Sequence, residues 1–275
     1  SHVFTNSGTF SVSELGSIQS DVEVILIAGG GGGGVDAGGG GGAGAFYPND
    51  VIVRFSDFKS NEYRELLGGS IFEPVEENPM IAWRGASRYL DEKFKPAFEM
   101  EIAAMKSVKY DFGLDNLQLM VPFCRTPEEG EMVKDLLEVN DIGPKSGTDL
   151  FVMVELPSNA IEADRFMQMM NLAGGSIGSN DLVQTVYAVS RDDLEGYQNP
   201  VDARSPAVKS MIRDIVQKFK AQGLEIGICG QAPSDFPDEF PPFLIDCGIS
   251  SISVTPDTAI AVRKTVAEAE KAANL

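Results

Sequence analysis

Residues 117–139 read LQLMVPFCRTPEEGEMVKDLLEV, and they hold one complete strand–turn–helix unit. Leu117 to Phe123 is a short apolar run of the kind that forms a strand in a covered sheet. Thr126 before Pro127 is an N-cap with proline at the first helical position, which predicts a helix from Pro127 to Val139.

The unit recurs on both sides. Upstream, Val51 to Phe55 reads as a strand, and Lys93 to Tyr110 as a helix with Phe94, Phe98, Ile102, Met105 and Val108 on one stripe. Downstream, the strand Leu150 to Glu155 leads to a helix over Ser158 to Leu172, and Gly175 to Asn180 reads as a strand end. Ser205 to Gln222 is a long helix closed by Gly223. Glu225 to Cys229 and Ile249 to Val254 read as strands, and Thr258 to Ala273 as the last helix. Repeated βα units with apolar strands imply a parallel sheet covered by helices. With a short strand at Ile81 to Trp83, seven strands follow Phe46, whereas a closed (β/α)8 barrel of the TIM type has eight. The expected fold is therefore such a barrel without its first strand, unless Val22 to Ala28 fills that position.

Composition divides the chain near residue 45. Twelve of the 29 glycines lie between Gly29 and Gly44. Polyglycine has no side chain to bury and the most backbone entropy to lose, so this stretch builds no ordinary core. Before it, Asp21 to Ile27 reads as a strand, with Phe4, Phe10 and Val12 as candidates for a partner hairpin. The expected organisation is a glycine-rich β or linker segment over 1–45 and a barrel over 46–275. The first segment resembles the glycine-rich modules of phage tail-fibre proteins.

The net charge of −19, from 41 acidic and 22 basic residues, argues against nucleic acid and anionic membranes as partners. A small anion remains compatible, because it needs only arginines clustered inside a cleft. Cys124, Cys229 and Cys247 fit no zinc spacing, and their odd number argues against a disulfide framework. No apolar run approaches the roughly 20 residues that cross a bilayer. These features point to the cytoplasm.

Reactive side chains gather at the C-terminal ends of the expected strands, the rim that holds barrel active sites. Arg54 lies near the end of one strand, Arg84 follows Trp83, Glu155, Asn180 and Asp181 end two more, and Cys229 ends another. Two carboxylates from neighbouring strands, Glu155 and Asp181, suit Mg²⁺, which takes one or two carboxylates and completes its shell with substrate and water oxygens. Arginines at the same mouth suit phosphate and carboxylate groups.

Six strings then occur in order: VIVRFSDFKSNEY (51–63), EENPMIAWRGASRY (76–89), VPFCRTPEE (121–129), VELPSNA (154–160), GSIGSNDL (175–182) and GICGQAPSD (227–235). Over about Phe46 to Leu275 the chain resembles the pyruvate/phosphoenolpyruvate-binding barrel of the phosphoenolpyruvate synthase family. Pyruvate phosphate dikinases and enzyme I phosphotransferases share that barrel, but SDFKSNEY and GICGQAPSD favour the synthases. The resemblance implies an enzyme of the pyruvate, water dikinase type, converting pyruvate, ATP and water to phosphoenolpyruvate, AMP and phosphate. It implies that Arg54 and Arg84 hold the transferring phosphate, that Glu155 and Asp181 bind Mg²⁺, and that Gly178, Ser179 and Asn180 line the substrate. Arg191 would contact the phosphate, although Ser190 stands where the family usually has Asp. Cys229 would exchange the proton at the substrate methylene, provided nearby positive charge brings its pKa toward neutral.

The same resemblance implies partner domains: one that binds ATP and one that carries a phosphorylated histidine. His2, the chain's only histidine, matches no phosphohistidine motif. The family's barrel also begins before Phe46 and supplies a further substrate arginine from that part. Barrels of this family usually pair, which implies a homodimer. Two alternatives stay open on the sequence: a truncated, inactive barrel joined to a tail-fibre-like interaction module, and an enzyme-I-like phosphotransferase barrel.

Overall fold

The computed structural model describes residues 47–190 and 201–273. Its centre is one sheet of six parallel strands: β1 (Val51–Arg54), β2 (Leu117–Val121), β3 (Leu150–Val154), β4 (Gly174–Gly178), β5 (Glu225–Cys229) and β6 (Ser251–Ile252). They lie side by side in chain order, with Arg54 opposite Met120, Val154 opposite Ile177, and Gly178 opposite Cys229. The sheet curls as a half-barrel, with β1 and β6 at its two edges among the described residues.

Helices fill every crossover. Between β1 and β2 run α1 (Ser60–Glu65), α2 (Gly69–Phe72), α3 (Ala86–Tyr89) and α4 (Lys95–Lys106). Next come α5 (Pro127–Val139), α6 (Pro157–Ile161) and α7 (Ala163–Met170). The series continues with α8 (Ser179–Tyr187), α9 (Pro206–Ala221), α10 (Ala232–Asp235), α11 (Phe240–Cys247) and α12 (Ala259–Ala273). Thr126 caps α5 as its sequence predicts, its hydroxyl accepting from the Glu129 N–H at 3.1 Å.

The two faces of the sheet do different work because side chains alternate along a strand. Val53, Leu119, Val121, Val152, Ile177 and Ile228 face the helices and join Phe98, Leu137, Phe166, Val216 and Leu244 in the main core. Each such side chain contributes about 1.5–3 kcal/mol on burial, so this layer dominates stability. The inner face carries a small separate cluster of Ile52, Met120, Phe151 and Met153. Arg54 and Cys229 continue that face toward the strand ends, and Glu155 follows in phase with Met153. Stability held on one face lets the other carry charge.

Several sequence expectations need correction. Ile81 to Trp83 forms turns, because Pro79 and Gly85 bracket it and its backbone serves the arginine described below. The described sheet therefore has six strands where seven were expected. The strand expected over Ile249 to Val254 shrinks to Ser251–Ile252. Ser158 to Leu172 divides into two helices at Glu162, and the Lys93 to Tyr110 helix starts at Lys95 and ends in a π-turn over Ser107–Asp111. Asn180 and Asp181 belong to the first turn of α8, whose helix begins at Ser179 directly after the strand. Val22 to Ala28 and the hairpin candidates before it lie outside the described residues.

A buried ion pair braces the long β1–β2 connection. Arg88 in α3 is fully buried and donates to both carboxylate oxygens of Glu73, at 2.8 and 2.6 Å. Its Nε donates to the Trp83 carbonyl at 2.9 Å, and its guanidinium lies 4.1 Å from the Trp83 ring centre. Arg88→Met should destabilise the chain by about 3–5 kcal/mol, because it leaves the Glu73 carboxylate buried without a partner. Calorimetry should then show a melting temperature lower by roughly 10 °C. A shift under about 2 °C would mean that the pair carries no such weight.

Candidate active site

The site is built from the ends of β1, β2, β3, β4 and β5. Just beyond β1, Asp57 turns its carboxylate inward, with 1% of the side chain exposed. Ser56 is held from two sides: its N–H and hydroxyl donate to Glu101 in α4, and its carbonyl accepts from the Tyr89 hydroxyl at 2.6 Å. Burial of Glu101 raises its carboxyl above the usual range, although both Ser56 bonds oppose the rise. These contacts anchor the residue next to Asp57.

Arg84 reaches the same point from the loop before α3. Its Nε and Nη2 form a fork on Asp57, at 3.1 and 2.5 Å, and Nη2 also donates to Asp181 at 2.9 Å. Burial disfavours the charge on Arg84, but the bonds to Asp57 and the charges of Asp57, Asp181 and Glu155 hold it protonated. Arg54 touches Asp57 more loosely, at 3.4 Å, and keeps 28% of its side chain exposed. Arg125, at the end of β2, donates to the carbonyls of Ile81, Ala82 and Arg84 and to the Ser87 hydroxyl. The turns over 81–83 thus present carbonyls to one guanidinium while they carry another.

Glu155 lies just past β3 and is 2% exposed. Its Oε1 accepts from the Phe123 N–H at 2.7 Å. Burial pushes its carboxyl up to about 8; Asp181 and Asp57 add to the rise, and Arg84 and the Phe123 bond oppose it. Gly178, opposite Cys229, is needed because a Cβ there would lie 2.5 Å from Glu155 Oε2. Asp181, on the first turn of α8, also accepts from Gln184 at 3.0 Å.

Asp57, Glu155 and Asp181 each offer a carboxylate oxygen, and these oxygens lie within 4.8 Å of one another. The Arg84 guanidinium supplies positive charge to Asp57 and Asp181, while Glu155, pushed up to about 8, holds its proton at neutral pH. The donor set is all hard oxygen, so it fits a divalent cation of the Mg²⁺ class.

Cys229 closes the site at the end of β5. It retains some accessible surface, although the atoms around its sulfur make an interior environment. Burial pushes the thiol up to about 11; the Ser176 hydroxyl and Arg54 lower it, and the Glu155 and Asp181 charges raise it. The direction is opposite to the expected drop toward neutral, because desolvation, with the Glu155 and Asp181 charges added, outweighs the Ser176 hydroxyl and the Arg54 guanidinium. Ser179 is fully buried, and its hydroxyl donates to the Cys229 carbonyl at 2.9 Å, which ties β4 to β5. Asn180 is half-buried, and its Oδ1 accepts from the Gln231 N–H at 3.4 Å. Arg191 lies outside the described residues.

The structure thus brings Arg54, Arg84, Glu155 and Asp181 to one mouth, with Cys229 at the end of the neighbouring strand, opposite Gly178. Sequence reasoning missed Asp57, Phe123 and Arg125. The signal for Asp57 was present: it stands three residues after Arg54, in the loop leaving a strand.

Comparison with known proteins follows the same lines. The chain is 52% identical over 230 residues to the phosphoenolpyruvate synthase of Aquifex aeolicus, covering 83% of the chain and 26% of that protein. It is 50% identical over 235 residues to the phosphoenolpyruvate synthase of a Synechocystis strain, covering 84% of the chain and 28% of that protein. The chain therefore spans about a quarter of the length of these curated relatives. Among solved structures, a malate synthase of Haloferax volcanii aligns over 81% of the chain and 56% of its own, with a TM-score of 0.52 at 9% identity, a likeness of fold alone. No described helix is long and apolar enough to cross a membrane. The family model for the PEP-binding domain of PEP-utilising enzymes matches residues 41–271, and the chain belongs to that family.

Proposed function

We propose that this chain is the pyruvate/phosphoenolpyruvate-binding catalytic domain of a phosphoenolpyruvate synthase, working on a phosphoryl group delivered by a phosphohistidine on another domain. The observation that carries this reading is the convergence of Asp57, Glu155 and Asp181 with the guanidinium of Arg84, beside Arg54, on one strand-end mouth. Residues 46–275 form the working barrel in this reading, and 1–45 stand apart from it.

Glu155 and Asp181 would hold Mg²⁺, with Asp57 alongside. The bound ion would supply Lewis-acid stabilisation for the negative oxygen that pyruvate develops as its methyl proton leaves. Arg84 and Arg54 would grip the phosphoryl oxygens and the substrate carboxylate, since guanidinium forks match both. Asn180 keeps the substrate-lining role its motif implies and Arg191 the phosphate contact, whereas Gly178 makes room for Glu155 and Ser179, buried on the Cys229 carbonyl, supports the mouth from within. Cys229, as thiolate, would take the methyl proton. The enolate oxygen then bonds to phosphorus while the phosphorus–nitrogen bond of the phosphohistidine breaks. In reverse, the Cys229 thiol returns its proton to the methylene carbon. A thiol held near 11 rests protonated at neutral pH, which suits the return step.

The ATP-binding and phosphohistidine domains would be partners in the complete enzyme, and a homodimer and a cytoplasmic setting complete the proposal. The test is exchange of pyruvate methyl protons with deuterated water, followed by NMR with Mg²⁺ present. Exchange that needs both the folded chain and Mg²⁺ supports the reading. A folded chain that exchanges no faster than buffer contradicts it.

A further inference from the structure

Phe123 is 1% exposed, yet it belongs to neither apolar cluster of the protein. A buried phenyl ring ordinarily joins the core, where its area is worth most. This ring instead meets two guanidinium groups: Arg84 Cζ is 3.9 Å from its centre and Arg125 Cζ is 5.0 Å. Its backbone is also exceptional. Phe123 sits at φ +41°, a left-handed conformation that a bulky side chain rarely adopts and that clusters at functional sites. In that conformation its N–H is aimed at Glu155 Oε1, at 2.7 Å, while its ring meets Arg84. Gly85, next to Arg84, has φ +60°, and a Cβ there would lie 2.5 Å from Phe123 Cβ. The loop that bears Arg84 is pressed directly onto Phe123.

We infer that Phe123 is a positioning residue that fixes Arg84 and Glu155 relative to one another, its ring holding the guanidinium and its N–H the carboxylate. The inference rests on the proposed function, because its consequence is the grip on an anion that would reach from Arg84 to a cation held by Glu155. The ring face is electron-rich and attracts the guanidinium without neutralising it or using its N–H donors, which serve oxygen acceptors such as Asp57 and Asp181. Arg125, on the same ring, also donates to the carbonyls of Ile81, Ala82 and Arg84, so it ties the ring to the loop that bears Arg84. A Leu of similar bulk would fill the space without a π face. Arg84 would then be restrained by acceptors alone, and it would lose its place when an anion competes for those bonds.

The test is calorimetric titration of the full chain with oxalate, a dianion shaped like the enolate of pyruvate, in saturating Mg²⁺. Phe123 is replaced by mono-, di- and trifluorophenylalanine, which keep shape while draining the ring face, and separately by Leu. Oxalate affinity should fall stepwise with fluorination and by about fivefold or more for Phe123→Leu. Melting temperatures should stay close to wild type through the fluorinated series, a pattern that a packing role would not produce. Equal affinity across the fluorinated series, with wild type binding oxalate, overturns the role of Phe123 alone. Wild type that ignores oxalate overturns the functional reading beneath it, and with it this inference.

Discussion

Glu155→Gln should give a chain that is more stable than wild type at pH 9 without divalent cation, and that no longer exchanges the methyl protons of pyruvate. The reason is the cost of charging Glu155 where it lies. Burial and the neighbouring Asp181 and Asp57 carboxylates push its folded-state carboxyl up to about 8, far above an ordinary glutamate. The native state therefore holds its proton where the unfolded chain has released it. Stability is fully present below the unfolded value near 4.5 and declines as pH rises toward 8. An amide of the same shape carries no proton to lose and can still accept from the Phe123 N–H. The gap between variant and wild type should be near zero around pH 4 and widen to a few kcal/mol by pH 9. The catalytic effect runs the other way. Losing an anionic ligand should slow Mg²⁺-dependent exchange by about 10²–10³-fold. Thermal melts across pH, beside exchange rates, check both halves. A variant less stable than wild type at pH 9 would refute the assigned charge cost.

Cys229→Ala should slow exchange by about 10²–10⁴-fold, the usual contribution of a positioned acid or base. It should leave oxalate affinity and melting temperature nearly unchanged. Cys229 contacts the edge of the small inner cluster and takes no part in the main core. Because burial holds the thiol up to about 11, only a small fraction is thiolate at neutral pH, and removal of the methyl proton draws on that fraction. The wild-type exchange rate should climb with pH between about 7 and 9, and that slope should vanish in Cys229→Ala. A variant that keeps both rate and slope would move the proton chemistry to another residue.

Much of this was legible in the sequence, and what was not has a physical reason. The strands and most helices announce themselves through apolar runs, the Thr126–Pro127 cap, and Gly223, which adopts φ +70° past the end of α9. Ile81 to Trp83 misled because it is apolar yet serves as a scaffold of carbonyls for Arg125, a tertiary role without local periodicity. Asp181 was found by motif but assigned to a strand end, since nothing in GSNDL marks where β4 gives way to α8.

The site was less visible than the fold. Arg54, Arg84, Glu155, Asp181 and Cys229 could be picked out by type and position. The sequence could not show that Arg84 forks onto Asp57, because that contact joins residues 27 apart through a folded loop. Nor could it foresee the direction of the Cys229 shift, which depends on how many carboxylates converge and how dry the end of β5 is. Phe123 reads as the last apolar residue of the strand expected over Leu117 to Phe123 until its φ and its two guanidinium neighbours are seen.

The account depends on Glu155 and Asp181 accepting one divalent ion in place of the charge that Arg84 now lends them. Anomalous diffraction from crystals grown with Mn²⁺ and oxalate measures this directly. One strong peak bonded to oxygens of both Glu155 and Asp181 is expected, with oxalate reaching from the ion to Arg84. A peak bonded to neither carboxylate, or none in a crystal where Arg84 still bridges Asp57 and Asp181, would contradict it.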